Sequence, residues 1–285
     1  MSCFPAQGRE MDKPQPQTVR RELMATVASV TIAHADASYA RRAAREALDE
    51  AERIEGRLSR SIAHSDLSRL NRLRRGQTMH VHPDVVEVLG VALRMHRLTG
   101  GAFDVGFASA RQRNDGMGFR LDAKRGAVQV LVDGCQFDLG GIGKGFALDR
   151  AKSLLADWDI HCVLLSAGGS TLLAGQPPDA EAGWSVAVGP DHDSYEVNLA
   201  CRAVSASGTA VRGRHIIDPA TGRPPNRCTR AWASAPTAAV ADALSTAWMV
   251  MPPAAITRLC QQQDGVGALL QNGADGPATL RGWLR

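Results

Sequence analysis

The segment that most constrains this chain is Asp138–Gly145, DLGGIGKG, which joins a predicted strand to a predicted helix. Four glycines within six residues allow backbone N–H groups to converge, and the helix N-terminus behind them adds partial positive charge. Such a turn favours a phosphate group. The spacing fits neither G-x-x-x-x-G-K-[ST] nor G-x-G-x-x-G, because Gly145 follows Lys144 and Phe146 lies three residues after Gly143. The segment therefore predicts either a phosphate-binding turn or a turn whose glycines serve only packing.

Hydrophobic periodicity predicts helices interleaved with strands along the whole chain. Apolar residues spaced by four and three positions predict a helix from Asp36 or Ser38 to about Leu58. A second helix is predicted from Pro83-Asp84, where Asp84 and Glu87 have capping-box spacing. The remaining predicted elements are helices over 145–158 and 239–251, strands over 23–32, 127–132, 162–166, 184–188, 196–204 and 232–235, and a C-terminal helix, strand, turn and strand.

This order of elements predicts the α+β class. Helices and strands alternate without a regular βαβ repeat, which indicates mixed β-sheets packed with α-helices in a single compact unit. The 285 residues fit one domain over 21–285, and the polar, proline-rich residues 1–20 predict a flexible tail.

Composition excludes several classes of function. The net charge of +4 comes with dispersed arginines and no stacking motif, so nucleic acid is not an expected partner. No run of 18 apolar residues predicts a membrane span, and the absence of an apolar signal region favours a cytoplasmic protein. The six cysteines, none in a C-x-x-C pair, indicate reduced and scattered thiols.

Two further patterns carry polar groups suited to chemistry. His215 and Asp218 flank two isoleucines before a Pro-Ala-Thr-Gly turn. This pattern predicts that His215 is either a general acid–base residue or a partner in a structural hydrogen bond. Asp242 and Thr246 lie four residues apart on one predicted helix, where their oxygens share a face. A carboxylate and a hydroxyl suit a hard cation such as Mg²⁺, and the alternative is an acidic first helical turn.

Several segments, in this order, resemble the ApbE family of FAD:protein FMN transferases. The resemblance spans roughly residues 23–251, and the glycine-rich and HIIDPATG segments are its most specific parts. The matching segments are Met24-Ala-Thr26, SDLSRLN at 65–71, TGGAFD at 99–104, DLGGIGKGFALDRA at 138–151, LLSAGG at 164–169, SASG at 205–208, HIIDPATG at 215–222 and ADALSTA at 241–247.

The resemblance implies an ApbE-like, T-fold-like domain and a specific reaction. FAD binds with Mg²⁺ on its pyrophosphate, and a threonine hydroxyl of a target flavoprotein attacks the FMN-side phosphate. AMP leaves, and FMN stays attached through a phosphoester. A glycine-rich turn and a divalent cation are what displacement at a pyrophosphate requires, so the two patterns describe one site.

The resemblance also assigns roles to individual positions. The carbonyl of Gly141 would hold Mg²⁺ with Asp242 and Thr246, and the carbonyl of Ser245 would assist. Asp242 is the only carboxylate of this set. His215 would lie beside the pyrophosphate as general base or phosphate stabiliser. The FAD contacts implied are Met24, Ala102, Phe103, Asp104, Asp138, Lys144 and His215.

The chain departs from the family pattern at three places. Ala25 replaces the glycine of the usual Met-Gly-Thr, and Ser61 occupies the position where relatives often place a tyrosine against the flavin. The segment after Asp104 is short and diverged, which affects the outer wall of the predicted pocket. Two alternatives therefore stay open, an FAD pyrophosphatase in which water replaces threonine, and a non-catalytic FAD-binding protein.

Overall fold

An eight-stranded antiparallel sheet is the largest element of the fold. The computed structural model describes residues 15–106, 117–178, 181–189, 194–209, 216–272 and 278–280. The sheet strands are β1 (Gln17–Leu23), β2 (Thr26–Ile32), β6 (Val163–Ala167), β7 (Thr171–Ala174), β10 (Ala203–Gly208), β11 (Arg230–Ala235), β12 (Gly267–Gln271) and β13 (Ala278–Leu280). They lie in the order β1-β2-β6-β7-β10-β11-β12-β13, and each neighbouring pair is antiparallel.

Two small antiparallel sheets complete the strands of the described chain. β3 (Thr78–His80), β4 (Phe119–Asp122) and β5 (Ala127–Val130) form one in the order β3-β5-β4. β8 (Trp184–Val188) pairs with β9 (Tyr195–Leu199) to form the other. The inward side chains of β8 pack on Trp232 and Leu269 of the large sheet, so this hairpin covers one face of that sheet.

The helices pack on the opposite face. They are α1 (Ala37–Leu58), α2 (Asp66–Leu70), α3 (Pro83–Leu98), α4 (Gly143–Asp157), α5 (Ala238–Trp248) and α6 (Pro253–Gln262). α4 packs against both α1 and α5, and α5 lies on β10 and β11. Nine of the eleven residues of α5 are buried, so polar side chains on this helix, Asp242 among them, lie inside the molecule.

The structure confirms the predicted α+β class and several predicted elements. Every apolar position predicted for the first helix is buried in α1, and Asp36 caps it by accepting the N–H groups of Ser38 and Tyr39 at 2.8 and 2.9 Å. The C-terminal helix, strand and strand are present as α6, β12 and β13. In the described part of the chain, no helix is both long and apolar enough to cross a membrane.

The strand predicted over residues 23–32 corresponds to β2 and to the tight turn that joins it to the end of β1 at Leu23. Met24 and Ala25 have φ of 53° and 54°, the two positive values of a type I′ hairpin turn. Such turns favour Asn and Gly, and neither residue is present here. The Met24 N–H donates to Glu55 Oε2 at 2.8 Å, which gives the turn an anchor on α1.

The boundary predicted for the N-terminal tail is also wrong. β1 begins at Gln17, inside the predicted tail 1–20, and all seven of its residues pair with β2. The strand was missed because alternate side chains of this edge strand are exposed and therefore polar. Residues 1–14 lie outside the described residues.

Two other predicted features differ from the structure. The single strand predicted over 196–204 is divided into β9 and β10, because Cys201 at φ 51° turns the chain between them. The N-cap of α3 is His82, whose Nδ1 accepts the N–H of Asp84 at 3.2 Å. Asp84 instead is buried in ion pairs with Arg57 and Arg150, which join α3 to α1 and α4.

Replacing Ala25 by glycine is expected to stabilise the protein. Ala25 is exposed and has φ 54°, a conformation that costs an L-residue with a Cβ about 1 kcal/mol and costs glycine little. The variant A25G should raise the midpoint of thermal unfolding by about 2–4 °C. The matched control A156G, at an exposed position of α4, should lower it. A lower midpoint for A25G would show that the turn is not strained.

Candidate active site

The predicted site residues line one cleft of about 980 Å³. It is bounded by the β1–β2 turn, the end of α1, the segment after α3, the glycine-rich turn and α5. His215 lies outside the described residues, and its neighbour Ile216 lines this cleft. Ser245 is fully buried and does not line the cleft, whereas nine of the other predicted residues contribute to its walls: Met24, Ala102, Phe103, Asp104, Asp138, Gly141, Lys144, Asp242 and Thr246.

The glycine-rich segment is a turn that leads directly into α4. Gly143 donates its N–H to the carbonyl of Leu139 at 2.7 Å, and Asp138 Oδ1 accepts the N–H of Gly140 at 2.8 Å. No side chain caps α4 at Ile142. The positive end of the dipole of this 15-residue helix therefore lies at the cleft.

The SDLSRLN segment holds two walls of the cleft in place, a role that its sequence pattern did not reveal. Asn71 Nδ2 donates to the carbonyl of Phe137 at 3.0 Å, and Asn71 Oδ1 accepts the N–H of Phe137 at 2.6 Å. This pair of hydrogen bonds fixes the chain just before the glycine-rich turn. Ser65 caps α2, and Ser68 Oγ donates to the carbonyl of Arg60 at 2.9 Å.

α4 and α5 approach each other closely at Gly145. A Cβ at Gly145 would lie 2.1 Å from the carbonyl oxygen of Ala238, so only glycine fits this contact. Asp149, one turn further along α4, accepts the N–H groups of Ala238 and Ala239, both at 2.8 Å. Desolvation by burial raises the pKa of Asp149 from its ordinary 3.8 to about 6.

Asp242 is buried at the point where these two helices meet. Its side chain is 2% exposed, and Gly145 donates its N–H to Asp242 Oδ2 at 3.1 Å. Lys144 Nζ lies 3.4 Å from Asp242 Oδ1, and Ser205 Oγ lies 3.1 Å from the same oxygen. A buried carboxylate needs such partners, because an unpaired buried charge is strongly unfavourable.

The oxygens around Asp242 fit a small hard cation. A Cβ at Gly141 would lie 2.9 Å from Thr246 Oγ1, so the backbone of Gly141 is directly against that hydroxyl. Thr246 Oγ1 donates to the carbonyl of Asp242 at 3.2 Å, and Ser207 Oγ also lies 3.2 Å from it, which leaves at least one lone pair as a ligand. One carboxylate with neutral oxygens is how Mg²⁺ is held beside a phosphate. The described residues contain no cluster of three or more His, Cys, Asp or Glu that would form an all-protein site.

The outer wall of the cleft carries a charged pair that sequence reasoning missed. Arg60 Nη1 lies 2.9 Å from Asp138 Oδ2, and Arg60 is 63% exposed. The next residue, Ser61, also lines the cleft and is exposed. Phe103, in contrast, is 3% exposed, and its ring supports the turn at Gly141 from behind. Its contribution is therefore to the floor of the cleft.

Asp218 forms part of the turn that its Asp-Pro sequence predicts. Its carboxylate accepts the N–H of Ala220 at 2.9 Å, and its backbone N–H donates to the carbonyl of Arg223 at 2.8 Å. These bonds are internal to the loop, so Asp218 is a structural residue here. The loop places Ile216, Ile217 and Pro219 along the cleft.

Comparisons with known proteins agree on one family. The family model of the ApbE family matches residues 24–270. The chain is 24% identical to an FAD:protein FMN transferase of Buchnera aphidicola over 62% of each chain, and so spans less than two thirds of that relative. It is 26% identical to one of Salmonella typhimurium, over 88% of this chain and 83% of the relative. A solved structure, the flavin transferase ApbE from Vibrio cholerae, shares the fold with a TM-score of 0.78, at 21% identity, over 93% of this chain and 96% of that chain.

Adding a methyl group at Gly145 is expected to separate α4 from α5. The variant G145A should lower the free energy of unfolding by about 1–3 kcal/mol, because its Cβ collides with the backbone of Ala238. The matched control is G143A, where a Cβ has no neighbour within 4 Å, and it should be neutral or slightly stabilising. Urea denaturation measures both. Equal stability for the two variants would contradict the close contact.

The pKa of Asp149 predicts a pH dependence of stability. With a pKa of about 6 when folded and 3.8 when unfolded, Asp149 binds more protons in the native state between these values. Its contribution to the free energy of unfolding therefore falls as pH rises from about 4 to 6, and is constant above about 7. The difference in that free energy between wild type and D149N should fall by up to about 3 kcal/mol over this range. A difference that grows with pH would mean that the two N–H bonds outweigh burial.

Proposed function

This chain belongs to the ApbE family, whose model matches residues 24–270, and from that premise we propose that it transfers FMN from FAD to a protein and releases AMP. The single observation that carries this proposal is the environment of Asp242. A buried carboxylate, a lysine ammonium and the uncapped N-terminus of a helix meet at the edge of one large cleft. This arrangement suits a pyrophosphate and a divalent cation better than it suits an apolar ligand.

We propose that the cation is Mg²⁺, held by Asp242, Thr246 Oγ1 and the carbonyl of Gly141. When bound, Mg²⁺ would neutralise negative charge on the pyrophosphate and on the departing AMP. Lys144 extends from the first turn of α4 and is 17% exposed, so its ammonium can reach a phosphate in the cleft while staying near Asp242. The dipole of α4 adds partial positive charge at the same place.

We propose that the acceptor is a threonine hydroxyl of a partner flavoprotein. The new bond joins the threonine oxygen to the FMN-side phosphorus, and the bond from that phosphorus to the oxygen of AMP breaks. The hydroxyl proton goes to a general base, for which His215 is the candidate from the sequence. The residues that follow it in the chain, Ile216 and Ile217, line the cleft.

We propose that the remaining cleft residues hold the rest of FAD. Met24, Ala102, Asp104 and Asp138 line the walls and Phe103 forms the floor, so Asp138 would contact FAD directly. Arg60 Nη1 lies 2.9 Å from Asp138 Oδ2, so the charges on the wall that FAD would contact are already balanced.

The same cleft would support hydrolysis if water reached the phosphorus. Ser61, exposed and small, leaves the lining beside Arg60 open to solvent, and this feature favours the FAD pyrophosphatase alternative. The names of the curated relatives favour a protein acceptor instead. A non-catalytic FAD-binding protein would not need Asp242 and Lys144 together beside a phosphate.

The protein can be incubated with FAD, Mg²⁺ and the acceptor domain of a flavoprotein that is the partner of a family relative. This experiment distinguishes the three functions. The transferase should give an acceptor that stays fluorescent after denaturation, together with one AMP for each attached FMN. Free FMN without labelled acceptor would indicate the pyrophosphatase. FAD binding without any AMP would indicate a non-catalytic protein.

Asp242 is expected to be essential for turnover. The variant D242N keeps the size of the side chain but removes the only carboxylate of the proposed cation site, so kcat/KM should fall by about 100-fold or more. The matched control D157N, at the exposed end of α4, should retain full activity. Circular dichroism verifies that both variants are folded. An active D242N would refute the assigned role.

A further inference from the structure

Two buried hydroxyls lie behind Asp242 and do not line the cleft. Thr171 on β7 and Ser205 on β10 are directly opposite each other in the antiparallel sheet, and both are 0% exposed. Thr171 Oγ1 lies 3.0 Å from Ser205 Oγ, and Ser205 Oγ lies 3.1 Å from Asp242 Oδ1. The three side chains thus form a continuous row from the sheet to α5.

The protons in this row have one consistent direction. A carboxylate only accepts hydrogen bonds, so Ser205 donates its proton to Asp242 Oδ1. Ser205 has then used its only proton, and Thr171 donates to Ser205. A neighbouring hydroxyl, Ser245, donates to the carbonyl of Asp242 at 2.9 Å. Every hydroxyl in the row is therefore directed towards Asp242.

Within the sheet the neighbours of this pair are apolar, and on α5 Ser245 Oγ lies 3.5 Å from Ser205 Oγ. Ala203, Ala233 and Leu173 of the same sheet are buried around it with at most 1% exposure. Small apolar residues would fill the positions of Thr171 and Ser205 without the cost of burying a polar group. The cost of burying the two hydroxyls is offset only by the hydrogen bonds that they make. The last hydrogen bond of this row is accepted by the carboxylate of Asp242.

We propose that Ser205, supported by Thr171, is a positioning residue that orients Asp242 for the divalent cation. The inference rests on the cation site of the proposed function. Gly145 holds Asp242 Oδ2 and Ser205 holds Oδ1, so the carboxylate is fixed at both oxygens and cannot rotate freely. Bonds of this kind to a ligand side chain raise metal affinity by about 10–100-fold.

The test measures Mn²⁺ binding by the FAD-free protein, and electron paramagnetic resonance detects the unbound ion. Mn²⁺ prefers the same oxygen ligands as Mg²⁺. The dissociation constant of S205A should rise by about 10-fold. The double variant T171V/S205A removes both hydroxyls at nearly constant volume, so it should fold normally and show the same loss. T171V alone should show a smaller loss, because Ser205 still donates to Asp242.

The matched control is S234A, which removes another serine hydroxyl that is 0% exposed. Ser234 lies on β11 and accepts from Arg202 Nη2 at 3.3 Å, so its loss should leave the dissociation constant for Mn²⁺ unchanged. An equal loss in S234A would overturn the inference, since it would show a general effect of the sheet.

The outcomes separate this inference from the proposed function. Wild-type binding of Mn²⁺ with no change in S205A and T171V/S205A would overturn the role of Ser205 alone. Failure of the wild-type protein to bind Mn²⁺ would overturn the cation site and this inference together. A selective loss in S205A and in the double variant, with S234A unaffected, is the expected result.

Discussion

The contact between α4 and α5 at Gly145 is the constraint on which the site depends. Because Gly145 has no side chain, the N-terminal turn of α4 lies against the first turn of α5, and its N–H reaches the carboxylate of Asp242, 97 residues away in the chain. Asp149 strengthens the contact by accepting two N–H groups of α5. The glycine-rich turn, Lys144 and Asp242 are brought together by this one packing arrangement.

The charge of the site is concentrated on few groups. Asp242 is a buried carboxylate at this helix contact, and its oxygens are shared among a lysine, a backbone N–H and a serine hydroxyl. The other oxygens beside it, from Thr246 and Gly141, are neutral. A divalent cation would add the positive charge that these neutral ligands lack. The negative charge of a pyrophosphate would then complete the charge balance of the cleft.

Those parts of the molecule that rest on local periodicity could be predicted from the sequence. The buried face of α1 follows from its four-and-three spacing, and the shared face of Asp242 and Thr246 follows from their separation of four. The Met24–Ala25 turn could not be predicted, because neither residue is typical of a turn with positive φ. Asn71 and Ser205 act through partners 66 and 37 residues away, and a single sequence carries no signal for such pairs.

The most direct test of the proposed cation site is a structure of crystals of the protein soaked with FAD and Mn²⁺, with anomalous diffraction used to locate the metal. This site predicts one peak bonded to an Asp242 carboxylate oxygen, Thr246 Oγ1 and the carbonyl of Gly141, at about 2.0–2.3 Å, with the pyrophosphate of FAD beside Lys144. A metal peak elsewhere in the cleft, or FAD bound with its pyrophosphate away from the N-terminus of α4, would contradict it.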